Sequence, residues 1–134
     1  MYTYKAKLDR VIDGDTIDAN IDLGFDITIH KRIRLTGIDT PESRTRDLEE
    51  KARGLASKAR LVELLGDGDF MLESREVGKF GRVLGTIYTI AEESININDT
   101  LVEEGYAVEY YGGKKKKKAE ETKSDQNEDV PFAD

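Results

Sequence analysis

Apolar and polar residues alternate with a period of two through most of residues 2–35, and this restricts the fold more than any other feature of the chain. Tyr2, Tyr4, Ala6 and Leu8 alternate with polar neighbours, as in a half-buried strand. The Asp13-Gly14-Asp15 segment interrupts the pattern with turn residues. Ile17, Ala19, Ile21 and Leu23 then alternate with Asp18, Asn20 and Asp22, which predicts a second strand with a wet outer face. Phe25, Ile27, Ile29, Ile33 and Leu35 keep one parity through a third strand, with Arg32 and Arg34 on the opposite face.

The period then changes. Leu48, Ala52, Leu55, Ala56, Ala59 and Val62 fall at helical spacing, with Asp47 suited to the N-cap and Gly66 to the C-cap. Strands follow near Phe70–Val77 and Arg82–Ile90, joined by Gly78-Lys79-Phe80-Gly81. Asn96, with Asp99 three residues on, predicts a short helix through Glu104 that Gly105 ends. The order β-β-β-α-β-β-α predicts a mainly β, α+β fold. It is that of a five-stranded OB-type Greek-key barrel, with a long helix between strands 3 and 4 and a short one after strand 5.

One domain over residues 1–113 uses most of the 134 residues. The stretch 114–134 reads as a disordered charged tail, with six lysines (Lys114 to Lys118 and Lys123) offset by six acids. The net charge of −7 therefore resides in the body. A body this acidic argues against gripping nucleic acid by bulk charge, but it allows a small site where a metal and a few arginines reverse the local field. The absence of cysteine excludes disulfides, thiolate zinc sites and cysteine nucleophiles, and the single histidine, His30, excludes a multi-histidine metal site. No stretch approaches the roughly 20 apolar residues of a membrane helix, so no membrane partner is expected. The N-terminus lacks the apolar core of a secretory signal. As written the chain is expected in the cytoplasm, or outside the cell had a targeting segment been removed, and as a monomer.

Three patches carry residues suited to chemistry: Asp13-Gly14-Asp15-Thr16, the run Arg34 to Glu42 containing Asp39-Thr40-Pro41-Glu42, and Lys79-Phe80-Gly81-Arg82. Asp15, Asp39 and a neighbouring carbonyl offer oxygen-only ligands, a set suited to a hard cation such as Ca²⁺ and unsuited to zinc. Arg34 and Arg82, from different strands, can neutralise the oxygens of one phosphate. Glu42, at a strand exit, can take a proton from an attacking water or hold that water in line. Taken singly, each is also an ordinary turn, loop acid or surface arginine.

Their joint, ordered occurrence resembles the staphylococcal-nuclease (thermonuclease-like) family, from about Val11 to Tyr111. The resemblance implies an OB barrel and a Ca²⁺-dependent phosphodiesterase that acts on DNA and RNA, leaving 3′-phosphate and 5′-hydroxyl ends. It further implies metal binding by Asp15, Asp39 and the Thr40 carbonyl, water activation by Glu42, and phosphate clamping by Arg34 and Arg82. Asp13 matches a nearby acid outside the ligand set. Lys79 and one of Tyr110 and Tyr111 correspond to substrate-binding positions. Phe80 departs from the family pattern by lacking a hydroxyl, and the family's last helix has no counterpart. The alternative class is a barrel of the same kind that binds nucleic acid or protein without catalysis.

Overall fold

The computed structural model describes residues 2–77 and 81–110. The strands are β1 (Tyr2–Asp13), β2 (Thr16–Gly24), β3 (Ile27–Leu35), β4 (Ile38–Asp39), β5 (Asp69–Val77), β6 (Val83–Thr89) and β7 (Val108–Glu109). The helices are α1 (Leu48–Leu65), between β4 and β5, and α2 (Ile97–Glu103), between β6 and β7. Five strands close into a barrel in the order β1-β2-β3-β6-β5, with β1 and β5 paired antiparallel. The expected barrel, with a long helix after its third strand and a short one after its fifth, is the fold observed. Sequence periodicity did not register β4 and β7, which pair as a separate two-residue ladder.

The barrel closes on a short seam. β3 and β6 run parallel and pair only at Ile33↔Val83, Arg34↔Leu84 and Leu35↔Gly85. The other four contacts between neighbouring barrel strands are antiparallel. Helix α2 braces the seam through Asn98, which is 3% exposed. Its side-chain amide donates to Thr36 O (2.9 Å) and Gly85 O (3.2 Å), and its Oδ1 accepts from Ile87 N (3.1 Å). Without Asn98, Ile87 N would be an unpaired donor in an apolar interior, Ile87 being fully buried, whereas Gly85 O also accepts from Thr36 N (2.8 Å).

The alternating residues in the body of the barrel fill it as their period requires, whereas Tyr2, Leu23 and Ile27, expected in the same rows, are exposed. Ile17, Ala19, Ile21, Ile33 and Leu35 are buried, with Phe70, Leu72 and Ile87 from the later strands. Leu61 and Leu65 of α1 and Ile97 and Leu101 of α2 join the same core. Asp47 caps α1, its Oδ1 accepting from Glu49 N and Glu50 N, and Gly66 ends it at φ 56°. Asn96 caps α2 by accepting from Asp99 N.

Three expectations are corrected. Phe25 does not belong to the third strand: with Asp26 it forms the β2–β3 turn, both at positive φ (55° and 63°), and it is 97% exposed. The buried row of α1 is not Leu48, Leu55 and Val62, which are all exposed, but Gly54, Ser57, Leu61 and Leu65. That face presses on backbone as well as on side chains, so its upper half is small and polar. Finally, Asp18 is not on a wet face but is 4% exposed. Arg10 (3.0 Å) and Arg32 (2.8 Å), from the two flanking strands, close over it.

Candidate active site

The first and second patches converge where β1 turns into β2 and β3 leaves the barrel. The Asp13-Gly14-Asp15 turn is anchored to the end of β3 by Leu35 N donating to Asp15 O (2.9 Å). It also lies hard against α1: a Cβ on Gly14 would sit 2.7 Å from Ser57 Cβ and 3.0 Å from Thr40 Cγ2. Only glycine lets the turn approach the helix this closely. The turn thereby delivers the Asp15 carboxylate, 6% exposed, to the 38–40 segment.

Arg34 organises what surrounds it. One terminal nitrogen, Nη1, lies 3.4 Å from Asp15 Oδ2 and donates to Ile38 O (3.0 Å) and Leu35 O (3.2 Å). The other, Nη2, donates to Asp39 Oδ1 (3.3 Å). Asp15 is further fixed by Thr40 N on Oδ2 (3.0 Å) and by the Thr16 hydroxyl on Oδ1 (2.9 Å). The guanidinium is therefore the shared counter-charge of both carboxylates, with its side chain only 18% exposed. Tyr110 lies over it, ring centroid 6.0 Å from the guanidinium carbon, and is held there by β7 pairing with β4 and by Tyr110 N donating to Gly37 O (2.9 Å).

Glu42 is exposed, but its backbone is fixed from three sides. Its N–H donates to Glu50 Oε2 (3.2 Å). The next residue, Ser43, is buried, and both its N–H (3.3 Å) and its hydroxyl donate to Asp13 Oδ1. From beneath, Gly54 of α1 lies so near that a Cβ there would be 2.4 Å from Glu42 O. Ser43 and Gly54 were not singled out from the sequence. A lone glycine inside a helical run was the available signal, because such a glycine usually marks a close approach.

Arg82 directly precedes β6. The β3–β6 register places it level with Arg32, on the outward parity that Arg34 also shares. It lines an open concavity of about 520 Å³ with His30, Lys31, Arg32 and Gly81. Lys79 and Tyr111 lie outside the described residues, as does the 114–134 tail. The Asp18 carboxyl is held down at about 2 by the hydrogen bond from Arg32, against the opposing effect of burial, with Arg10 adding to the depression.

The donors at Asp15, Asp39 and Thr40 are all oxygen, and Thr40 Oγ1 is a buried hydroxyl with no hydrogen-bond partner among the described residues. Among the described residues no three acidic, histidine or cysteine side chains gather closely enough to hold a metal by themselves. Two carboxylates joined through one guanidinium, beside the Thr40 backbone, nevertheless fit a hard cation that retains much of its water. The donor set is compatible with Ca²⁺.

The fold and the cluster together define an OB-type barrel with an acid-and-arginine site at the end of β3. A family model described as staphylococcal nuclease homologue matches residues 32–129, and the chain belongs to that family. The match contains Arg34, Asp39, Thr40, Glu42 and Arg82, whereas Asp15 lies ahead of it and is tied to the site by the geometry above. The chain is 33% identical over 117 residues to a micrococcal nuclease of Shigella flexneri, covering 81% of this chain and 61% of that protein. It is 30% identical over 107 residues to Protein ParB of Escherichia coli, covering 75% and 54%. It is 33% identical over 116 residues to Endonuclease YhcR of Bacillus subtilis, covering 81% and 9%. It thus spans less than two thirds of each of these relatives.

Proposed function

We propose that this protein is a Ca²⁺-dependent nuclease that hydrolyses the phosphodiester bonds of DNA and RNA, leaving 3′-phosphate and 5′-hydroxyl ends. The observation that carries the reading is Arg34 held between Asp15 and Asp39, with Glu42 three residues beyond Asp39 on a pinned backbone. A pure binding module has no use for two clustered carboxylates where an anionic strand must approach. Two of the three relatives are named as nucleases.

In this reading Asp15, Asp39 and the Thr40 carbonyl hold the cation. When bound, it offsets the repulsion between the anionic diester and an incoming water. Glu42 takes a proton from that water, or holds it in line, as its oxygen bonds to phosphorus. The bond from phosphorus to the 5′-oxygen breaks, and the 5′-oxygen leaves as a hydroxyl after protonation from solvent. Arg34 and Arg82 neutralise the phosphoryl oxygens while charge builds on them. Tyr110, stacked over Arg34, keeps the guanidinium facing the substrate, and Lys79 and Tyr111 are assigned to substrate contact from their sequence positions.

The test is cleavage of single- and double-stranded DNA and RNA with Ca²⁺ and then with EGTA. Cleavage that EGTA abolishes is the expected result. Glu42→Gln and Arg82→Lys should each lower kcat by about 10²–10³ with the melting temperature unchanged. If DNA and RNA stay intact with Ca²⁺ while the protein still binds them, the binding-module reading replaces this one.

A further inference from the structure

The apolar row that helical spacing predicts on α1 stays outside the core. Leu48 (78% exposed), Leu55 (47%) and Val62 (48%) face outward, as do Ala52 and Ala59 between them. The steps from one to the next are 4, 3, 4 and 3 residues, the spacing of a coiled-coil seam. At 3.6 residues per turn the five fall within about 80° of one another, and the row runs about 21 Å along the helix. The buried face, Gly54, Ser57, Leu61 and Leu65, is turned about 140° away from it. The helix therefore has a second face that the barrel does not cover.

Single exposed apolar side chains are ordinary, but an unbroken row with charged borders marks a docking face. Charged residues make up 37% of the chain, yet none enters the row. They stand along its edges instead, Glu49 and Glu63 on one side and Lys51 and Lys58 on the other. Glu63 reaches Arg60 of its own helix (3.2 Å). Glu49, Lys51 and Lys58 form no ion pair with another described residue.

These edges select the partner. Two copies of α1 laid side by side in the same direction put the basic edge of each against the acidic edge of the other, with Lys58 of one copy opposite Glu63 of the other. Laid in opposite directions, they would set lysines against lysines and glutamates against glutamates. Ala52 and Ala59 let the helix axes come close, and Leu48, Leu55 and Val62 fill the seam. Because the buried face points away from the row, the two barrels stand on the outer sides of the pair.

We infer that α1 pairs in parallel with α1 of a second copy of this chain, forming a symmetric dimer through Leu48, Ala52, Leu55, Ala59 and Val62. A face about 21 Å long and about 10 Å wide buries on the order of 500 Å² per copy, short of the roughly 800 Å² of a standard interface, so association is weak and depends on concentration. The first half of the same helix holds the Glu42 peptide through Glu50 and Gly54, so parallel pairing brings two candidate sites to one end of the dimer. The pairing itself does not depend on the nuclease reading.

Sedimentation velocity on the full chain between about 5 and about 500 µM should show a shift from one copy to two, with half association near about 100 µM. Leu55→Glu changes an exposed position, so it should melt with the wild type at the lowest concentration and remain a single copy throughout. Direction is read with cysteine, which the chain lacks. Mild oxidation of Val62→Cys should join two copies covalently, because parallel helices set position 62 beside itself, whereas opposed helices hold the two cysteines about 21 Å apart. Arg53→Cys, off the row, should stay unjoined. A wild type that sediments as one copy at every concentration overturns the proposal and leaves the face to a different protein. So does self-association that Leu55→Glu retains, or a Val62→Cys protein that oxidises to dimer no faster than Arg53→Cys.

Discussion

Replacing Gly54 by alanine sets two effects of opposite sign against each other. Glycine inside a helix costs about 1 kcal/mol relative to alanine, so propensity alone predicts a more stable protein. Packing predicts the reverse. The new Cβ would meet Glu42 O at 2.4 Å, Glu42 C at 2.5 Å and Ser43 N at 2.7 Å, where ordinary contact begins at 3.4 Å. All three are backbone atoms, so no side chain can swing aside. Either α1 or the 42–43 peptide must retreat by about 1 Å, at an overpacking cost of about 1–3 kcal/mol. The net expectation is a loss of about 0–2 kcal/mol. The effect on turnover is larger, because Glu42 is carried on the displaced peptide, and a shift of about 1 Å in a reacting group costs about 10²-fold in rate. Urea denaturation gives the first quantity and initial rates on an octanucleotide with Ca²⁺ the second. A Gly54→Ala protein that is more stable than wild type and within twofold of its kcat would refute both the steric account and the assignment of Glu42.

Asp18 provides a pH prediction. Its carboxyl is depressed from 3.8 to about 2 in the folded protein, so its contribution to stability is present above about pH 4 and is lost as pH falls toward 2. The carboxyl is buried but its arginine partners are substantially exposed (65% and 43%), so about 1–2 kcal/mol is expected after allowance for solvent screening. Asp18→Asn should therefore lose stability at pH 7 and approach the wild type near pH 2, and parallel pH profiles for the two proteins would count against the pairing. Asn98→Leu keeps the branched shape but strands the buried Ile87 N, so it should cost about 1–3 kcal/mol in urea denaturation, and a loss below about 0.5 kcal/mol would show that the brace is dispensable.

The barrel was readable in the sequence because its inner face obeys a strict period of two. Ile17, Ala19, Ile21, Ile33 and Leu35 are inside for the reason their spacing suggests. Caps were readable too, since the chemistry of Asp47 and Asn96 is local. The buried face of α1 was not, because burial there is decided by a neighbour distant in sequence: Gly54 faces the 42–43 peptide, and Ser57 donates to Tyr106 O (2.6 Å). Asp18 was misread for a related reason. The alternation of one strand cannot show that Arg10 and Arg32, from the strands on either side, will cover its outer face. At the site, the order of motifs identified Asp15, Arg34 and Asp39, and the structure brings the three together. Ser43, which with Asp13 and Gly54 fixes the Glu42 backbone, has no pattern of its own and emerges only from contacts across the chain, as does the role of Asp13 in holding it.

The three-rung parallel join between β3 and β6 has a consequence for how the molecule fails. Arg34 is itself one of the rungs, Arg82 borders the join, and the antiparallel pairings between the other barrel strands are far longer. Regions with the fewest rungs open first, well before a domain unravels. Gentle warmth or dilute denaturant should therefore disarm the guanidinium pair while most of the barrel is still standing, so that catalytic silence precedes any visible melting.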